Sequence, residues 1–230
     1  MTEPSNVGAP AATVVLLRDG PDGMETLLLV RNQAADFAGG AAVFPGGRVE
    51  ESDWLGVDPG DELEAARRAA ARETIEEAGL VVDPLAFVTL SHWQPPSTAP
   101  KRFLTWFFVA AATPEAVVAV DGAEIVEHVW TTPAAAMAAK TAGRLGLLPP
   151  TWVTLEWLSR QPSVDEALAA AAARLPPRYQ STIVPLDGGM LLLYEGDAAL
   201  SSDPPDPSAP GPRHRLVATG DDWRWEDTVS

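Results

Sequence analysis

The chain has 230 residues, 46% of them hydrophobic, enough to bury one substantial core and too few for two full domains to fit comfortably. It contains no cysteine, which excludes disulfides, zinc–thiolate centres and cysteine nucleophiles. A formal net charge of −16, from 32 acidic and 16 basic residues, repels nucleic-acid polymers, so any anionic substrate must be small and met by local arginines and metal.

In chain order, "ATVVLLRDG" and "METLLLVRNQ" are apolar runs around "DGPDG", which predicts a β-hairpin. "GGAAVFPGGRV" predicts a short strand closed by a glycine turn. "DELEAARRAAARETIEEAG" is the strongest helix signal: acids begin it, alanine, leucine, glutamate and arginine fill it, and Gly79 stands where a terminating glycine belongs. "LVVDPLAFVTLSHWQ" and "RFLTWFFVAAA" predict two further strands around the proline-rich "QPPSTAPK", and "EIVEHVWTTPAAAMAAK" a strand leading into a second helix. From Leu148 the texture changes. "PPTWVTLEWLSRQ" and "SVDEALAAAAARL" predict helices, "STIVPLDGGMLLLYEG" a hairpin, and "SSDPPDPSAPGPR" a flexible segment. This order implies a mixed α/β layer structure in three parts: a catalytic domain over residues 1–148, an extension over 149–200 packed on it, and a flexible tail over 201–230. No apolar run reaches the length of a membrane span. "MTEPSNVGAP" lacks a basic region followed by an apolar stretch, so no membrane partner and a cytoplasmic location are expected.

The chemistry concentrates at "RETIEEAGL". Glu73, Glu76 and Glu77 fall at helical spacings of three and four, which stacks like charges on one surface at the anion-disfavouring end of a helix. Such a cluster is either a solvated acidic face or a seat for a divalent cation. Upstream, "FPGG" (Phe44 to Gly47) lets the backbone turn sharply and bring a carbonyl, with Gly46 the candidate, towards the same point. Backbone oxygen and three carboxylates form an all-oxygen pocket suited to Mg²⁺ or Mn²⁺, and such a pocket suits pyrophosphoryl transfer.

These residues resemble the Nudix (MutT-like) hydrolases, whose box runs G-x5-E-x7-R-E-U-x-E-E-x-G-U, with U apolar. Glu64 is followed after seven residues by Arg72-Glu73-Thr74-Ile75-Glu76-Glu77-Ala78-Gly79-Leu80, and "FPGG" also fits. Thr74 stands where an apolar residue is usual. Sixteen residues separate Gly47 from Glu64 where five are usual, and the excess, including "EESDWLGVDPGD", reads as a surface loop. The resemblance implies a Nudix α/β/α sandwich with a mixed central sheet and a C-terminal helical and hairpin extension. It implies a metal-dependent hydrolase of a diphosphate linkage in a nucleoside diphosphate derivative, using Mg²⁺ or Mn²⁺. "RFLTWFFVA" and "LLPPTWVTLEWL" are similar to the branch that includes peroxisomal coenzyme A diphosphatases. Of a second coenzyme A signature, "LLLVR" and Gly40 are present, while the arginine expected between them is replaced within "NQAADFAG". The alternatives are an ADP-ribose, NADH or dNTP-type pyrophosphatase, or a non-catalytic nucleotide sensor on the same fold.

The resemblance further implies metal ligands at Gly46, Glu73, Glu76 and Glu77, and a role for Arg72 in orienting a ligand carboxylate rather than simply pairing with Glu76. Glu64 lies well over two turns from Glu73, near the opposite angular position on an ideal helix, so it reads as a supporting acid, with direct metal ligation the alternative. The resemblance also implies a further glutamate from a later loop, as ligand or base; "DGAEIVEHVWTTP" offers Glu124 and Glu127, and the glycine-bearing start of the segment favours Glu124. The expected catalytic set is therefore Glu76, Glu124 and Arg72. Arg31 and Arg102, at strand edges, are candidates for substrate phosphate. His92, His128 and His214 share no ligand spacing, and Trp93, Trp106 and Trp130 read as core residues. A homodimer is one oligomeric state the sequence allows.

Overall fold

The computed structural model describes residues 8–34, 38–96, 99, 102–113, 116–120 and 122–229. The departure from the second coenzyme A signature therefore falls partly outside the described residues. β1 (Ala9–Gly20) and β2 (Gly23–Arg31) form the expected hairpin, closing from Leu17↔Thr26 to Gly20↔Gly23. The glycine turn separates β3 (Ala41–Val43) from β4 (Gly46–Arg48), and α1 (Glu62–Ala78) follows. β5 (Val88–Gln94), β6 (Phe103–Ala111), β7 (Ile125–Thr131) and α2 (Pro133–Thr141) complete the pattern read from sequence, and a two-residue strand β8 (Gly146–Leu147) precedes α3 (Pro149–Leu158) and α4 (Val164–Ala172).

The main sheet runs β8-β3-β2-β1-β6-β5-β9, where β9 is Arg178–Gln180, with β4 beside β1 and β7 beside β2. Parallel pairing of β1 with β6 among antiparallel neighbours makes it mixed. β1 is buried on both faces, hence its unbroken apolar run. Val14 and Leu16 pack with the alanines of α1 (Ala66, Ala69, Ala70), whereas Val15 and Leu17 pack with residues of α2, α3 and α4. The result is the α/β/α sandwich. Small side chains on α1 bring its backbone close to the sheet, and that closeness sets the glutamates of its last turn over the glycine loop. Asp61 caps the helix start by accepting from the Glu64 amide at 3.1 Å. Gly79, at φ 67°, closes the other end and donates to the Ile75 carbonyl at 2.9 Å.

The C-terminal region corrects the expectation of a flexible tail over 201–230. β10 (Thr182–Leu186) and β11 (Gly189–Leu193), the expected hairpin, continue into β12 (His214–Thr219) and β13 (Asp222–Asp227) as a four-stranded antiparallel sheet. Leu216 and Ala218 enter the same core as α3 and α4, with Trp223 and Trp225 packed against it. Lys140 of α2 donates to the Asp221 carbonyl at 3.1 Å and lies 4.4 Å from the Trp223 ring centroid, fastening the β12–β13 turn to the main domain. Among the described residues, no helix is long and apolar enough to cross a membrane.

An ion pair lies buried where this region turns back. Asp197 accepts from Arg215 Nε at 2.7 Å, from the His214 amide at 2.8 Å and from the Ala199 amide at 2.8 Å. Burial alone would push its carboxyl up, but the Arg215 hydrogen bond and then the two amides hold it below the ordinary aspartate value. Asp197→Ala should cost about 3–5 kcal/mol, since it strands a buried guanidinium. Because the folded carboxyl is depressed, this stabilisation is complete above the ordinary value of about 3.9 and is lost as pH falls through the lower folded value. Urea melts of both proteins should therefore show the gap closing in strong acid; a gap independent of pH would show that lost packing, not charge, set its size.

Candidate metal and active site

β1 shares one edge between two partners. β2 covers Leu17–Gly20, β4 covers Ala11–Thr13, and the loop between β3 and β4 fills the gap, its Pro45 carbonyl accepting from the Val14 amide at 3.0 Å and from the Thr13 hydroxyl at 2.6 Å. This seats Gly46 so tightly that a Cβ there would lie 2.3 Å from the Ala12 carbonyl oxygen. At Gly47 a Cβ would meet Glu73 Oε1 at 2.2 Å, so the carboxylate of Glu73 occupies the space that glycine leaves. Glu77 reaches the same loop, accepting from the Gly46 amide at 2.9 Å. The structure thus ties Gly46 to the cluster through its N–H.

Glu77 is 4% exposed, and burial pushes its carboxyl up to about 8; the Gly46 amide opposes this, Glu73 adds to it, Arg31 opposes it, and Glu124 adds to it. Glu73 is raised for the same first reason, against the pull of Arg72. A buried carboxylate facing two others stays charged only when positive charge arrives, and every donor here is a hard oxygen. The residues present therefore fit a small divalent cation rather than a soft metal. Among the described residues, no three carboxylates or imidazoles already surround one point at ligand spacing. They turn to arginines instead. Arg72 Nη1 donates to Glu73 Oε1 and to Glu76 Oε2, each at 3.0 Å, and Arg31 bonds Glu124 while lying 4.0 Å from Glu77.

Residues 8–148 match the family model described as the NUDIX domain. The chain belongs to the Nudix family. A Caenorhabditis elegans protein provisionally designated nudix hydrolase 7 is 29% identical over 169 residues, covering 58% of this chain; the chain spans 55% of that relative's length. The crystal structure of a NUDIX hydrolase from Alicyclobacillus acidocaldarius superimposes with a TM-score of 0.63 at 23% identity, covering 74% of this chain and 97% of that one, which shows a shared fold.

The Nudix box is assembled differently from the sequence expectation at one position. Glu64 does not reach the cluster: it accepts from Arg68 Nε at 3.0 Å, one helical turn away on the same helix. The acid on Arg72 is Asp53. Its two oxygens take Arg72 Nε at 3.2 Å and Nη2 at 3.1 Å, while Nη2 also donates to the Arg48 carbonyl at 2.9 Å. Asp53 sits in a 3₁₀ turn, Glu51–Trp54, steadied by the Glu50 amide donating to Asp53 Oδ2 at 2.8 Å. It is 4% exposed. Asp53 stands six positions beyond Gly47, with five residues between them. The fork raises the Arg72 guanidinium against the desolvation that would lower it, so Arg72 is a fixed cation.

Thr74 is fully buried in the apolar slot, its hydroxyl donating to the Ala70 carbonyl at 2.7 Å, which removes the cost of a polar group there. Arg102 donates to the Pro95 carbonyl through Nε at 3.4 Å and through Nη2 at 3.3 Å, bracing the loop after β5. His92 stacks on Trp106 at 4.2 Å, His214 lies among Tyr179, Tyr194 and Trp225, and His128 is exposed on β7. Trp93, Trp106 and Trp130 all pack against the two cores.

The two later glutamates separate cleanly. Glu124 precedes β7 and bonds Arg31 beside Glu77, whereas Glu127 is exposed on β7 opposite Val30. Glu124→Gln is expected to lower kcat at least ~10-fold with little change in melting temperature, and Glu127→Gln to do much less. Steady-state kinetics on both variants decide it: a reversed order assigns the role to Glu127.

Proposed function

We propose that this chain is a divalent-metal-dependent Nudix hydrolase that cleaves a diphosphate linkage in a nucleoside diphosphate derivative. The observation that carries this reading is the convergence of Glu73 and Glu77 on the Gly46–Gly47 loop, with Glu76 and Glu124 alongside. Glu73, Glu76 and Glu77 would hold Mg²⁺ or Mn²⁺, with Glu124 completing the set or serving as base. A cation held there would neutralise diphosphate charge and acidify an attacking water. The protein supplies the rest: Arg72 orients Glu73 and Glu76, the Gly46 amide orients Glu77, and Arg31, 4.0 Å from Glu77, is the arginine we carry for a substrate phosphate.

Within that class we carry coenzyme A and its acyl esters as the first substrate to test. "RFLTWFFVA" forms β6 and "LLPPTWVTLEWL" runs through α3; Phe107, Phe108, Trp152 and Leu155 of these stretches are buried core. Their likeness to the coenzyme A branch is one of packing, so it supports common descent more directly than a shared pocket. The purified chain should be offered coenzyme A, acetyl-coenzyme A, NADH, ADP-ribose and dNTPs with Mg²⁺ or Mn²⁺. Coenzyme A should yield 3′,5′-ADP and 4′-phosphopantetheine. Brisk cleavage of NADH or ADP-ribose with coenzyme A untouched would move the assignment to the alternative pyrophosphatase class. Tight nucleotide binding with no turnover on any substrate would make the chain a sensor. We also carry a cytoplasmic location and a homodimer as proposals; gel filtration with light scattering tests the latter.

A further inference from the structure

Asn32 stands where two loops meet beside the carboxylates. The register of β2 against β7 shifts between Val30 and Arg31: Val30 faces Glu127 while Arg31 faces Ile125, so Val126 is the extra residue of a bulge. A regular ladder would set Ile125 opposite Asn32. The shift sets Glu124 there instead, and the Asn32 amide donates to the Glu124 carbonyl at 2.8 Å. The side chain bonds in two directions. Its Nδ2 donates to the Ala123 carbonyl at 3.1 Å, and its Oδ1 accepts from the Ala34 amide at 3.0 Å. The bond to Ala34 is a turn that asparagine closes on its own backbone, and it holds the side-chain amide in the orientation that the bond to Ala123 needs. On the far side of Glu124, Ile125 is fully buried in the core under α1.

We propose that Asn32 is a positioning residue for Glu124, fixing the backbone of residues 123 and 124 so that the Glu124 carboxylate is presented towards Glu77. The proposal rests on the reading of Glu124 as metal ligand or base. A single backbone bond to the Glu124 carbonyl leaves the segment free to pivot about it. The side-chain bond to Ala123, one residue earlier, removes that pivot. It matters here because the preceding residue is Gly122, at φ 75°, where the backbone is otherwise permissive. The residue type is specific to the task. An amide carries a donor and an acceptor on one short side chain, whereas aspartate could still accept from Ala34 but could not donate to Ala123. Both side-chain bonds are exposed, so water can replace much of their energy but not the geometry they impose. Their loss therefore falls on the placement of Glu124 more than on the stability of the fold.

The test combines kinetics and hydrogen exchange on the full chain. Turnover is read with Mn²⁺ on coenzyme A, or on NADH or ADP-ribose should one of those be the compound cleaved. Asn32→Ala, which removes both side-chain bonds, and Asn32→Asp, which keeps only the one to Ala34, should each lower kcat ~3- to 10-fold with KM within ~2-fold. In a Glu124→Gln background, Asn32→Ala should change kcat by less than ~1.5-fold, because a residue that acts through Glu124 then has nothing left to position. In the metal-free protein, the amides of residues 122–126 should exchange at least ~3-fold faster in Asn32→Ala, while β1 keeps its wild-type rates. Wild-type kcat in both Asn32 variants, wild-type exchange across 122–126, or an equal loss of kcat with and without Glu124 would each overturn the positioning role. Wild-type kcat in Glu124→Gln alone would instead sink the reading of Glu124, and the role of Asn32 with it.

Discussion

Glu76→Gln and Glu77→Gln are each expected to cut kcat by at least ~100-fold, the scale on which loss of a metal's charge stabilisation is felt. The two reach the same outcome by different routes. Glu77 is buried against the glycine loop, where its second oxygen is the one turned away from the Gly46 amide; the neutral amide of glutamine can still accept that hydrogen bond but cannot contribute charge. Glu76 is exposed and, among the described residues, is held through Arg72, so its replacement leaves the core untouched. Melting temperatures should hold or rise, because three like charges at one helix end are being thinned. Chelation should abolish wild-type turnover. Wild-type-like kcat in both variants would remove the assignment of these glutamates.

Asp53→Asn is expected to lower kcat by ~10- to 100-fold with KM nearly unchanged, the range typical when a group that orients metal ligands is lost. Arg72 faces Glu73 and Glu76 through one nitrogen while Asp53 fixes the rest of the guanidinium from behind. Loss of one anionic anchor frees the fork to rotate, and the two glutamates lose their common reference. Glu64→Gln is the matched control and should stay within ~2-fold of wild type, since Glu64 supports a half-buried i,i+4 pair with Arg68 on its own helix, away from Arg72. A silent Asp53→Asn beside a damaged Glu64→Gln would return the role to Glu64.

Why Asp53 escaped the sequence is instructive. Counting back from Arg72 by the family spacing reaches Glu64, and counting forward from Gly47 reaches Asp53; with extra residues between, both counts cannot hold. Helical geometry decides it. Glu64 lies eight residues before Arg72, about 12 Å along the axis at 1.5 Å per residue, too far to meet its guanidinium. Only a turn folded back onto the C-terminal half of α1 can do so. The same dependence on remote packing hid β12 and β13. Proline and serine before Arg213 dominate the local composition, while the anchors that order the strands, Asp197, Lys140 and the core around Leu216, come from elsewhere in the chain. By contrast α1 was legible because its caps, alanine content and terminal glycine are all local. The hairpin of β1 and β2 was legible for the same reason, and so was the glycine loop, whose need for small residues comes from contact with β1.

The small C-terminal sheet has two outer strands, β10 and β13, and an outer strand is a template on which another chain can polymerise. β10 carries Pro185, which lacks the donor that an incoming strand would use, and β13 reads Asp-Trp-Arg-Trp-Glu-Asp, placing charge on either side of its tryptophans. A sheet appended to the edge of a catalytic domain would otherwise invite cross-β association whenever the chain is crowded. Here the residues at its borders discourage such growth, so the extension can lend its tryptophans to the core without becoming a nucleus for fibrils.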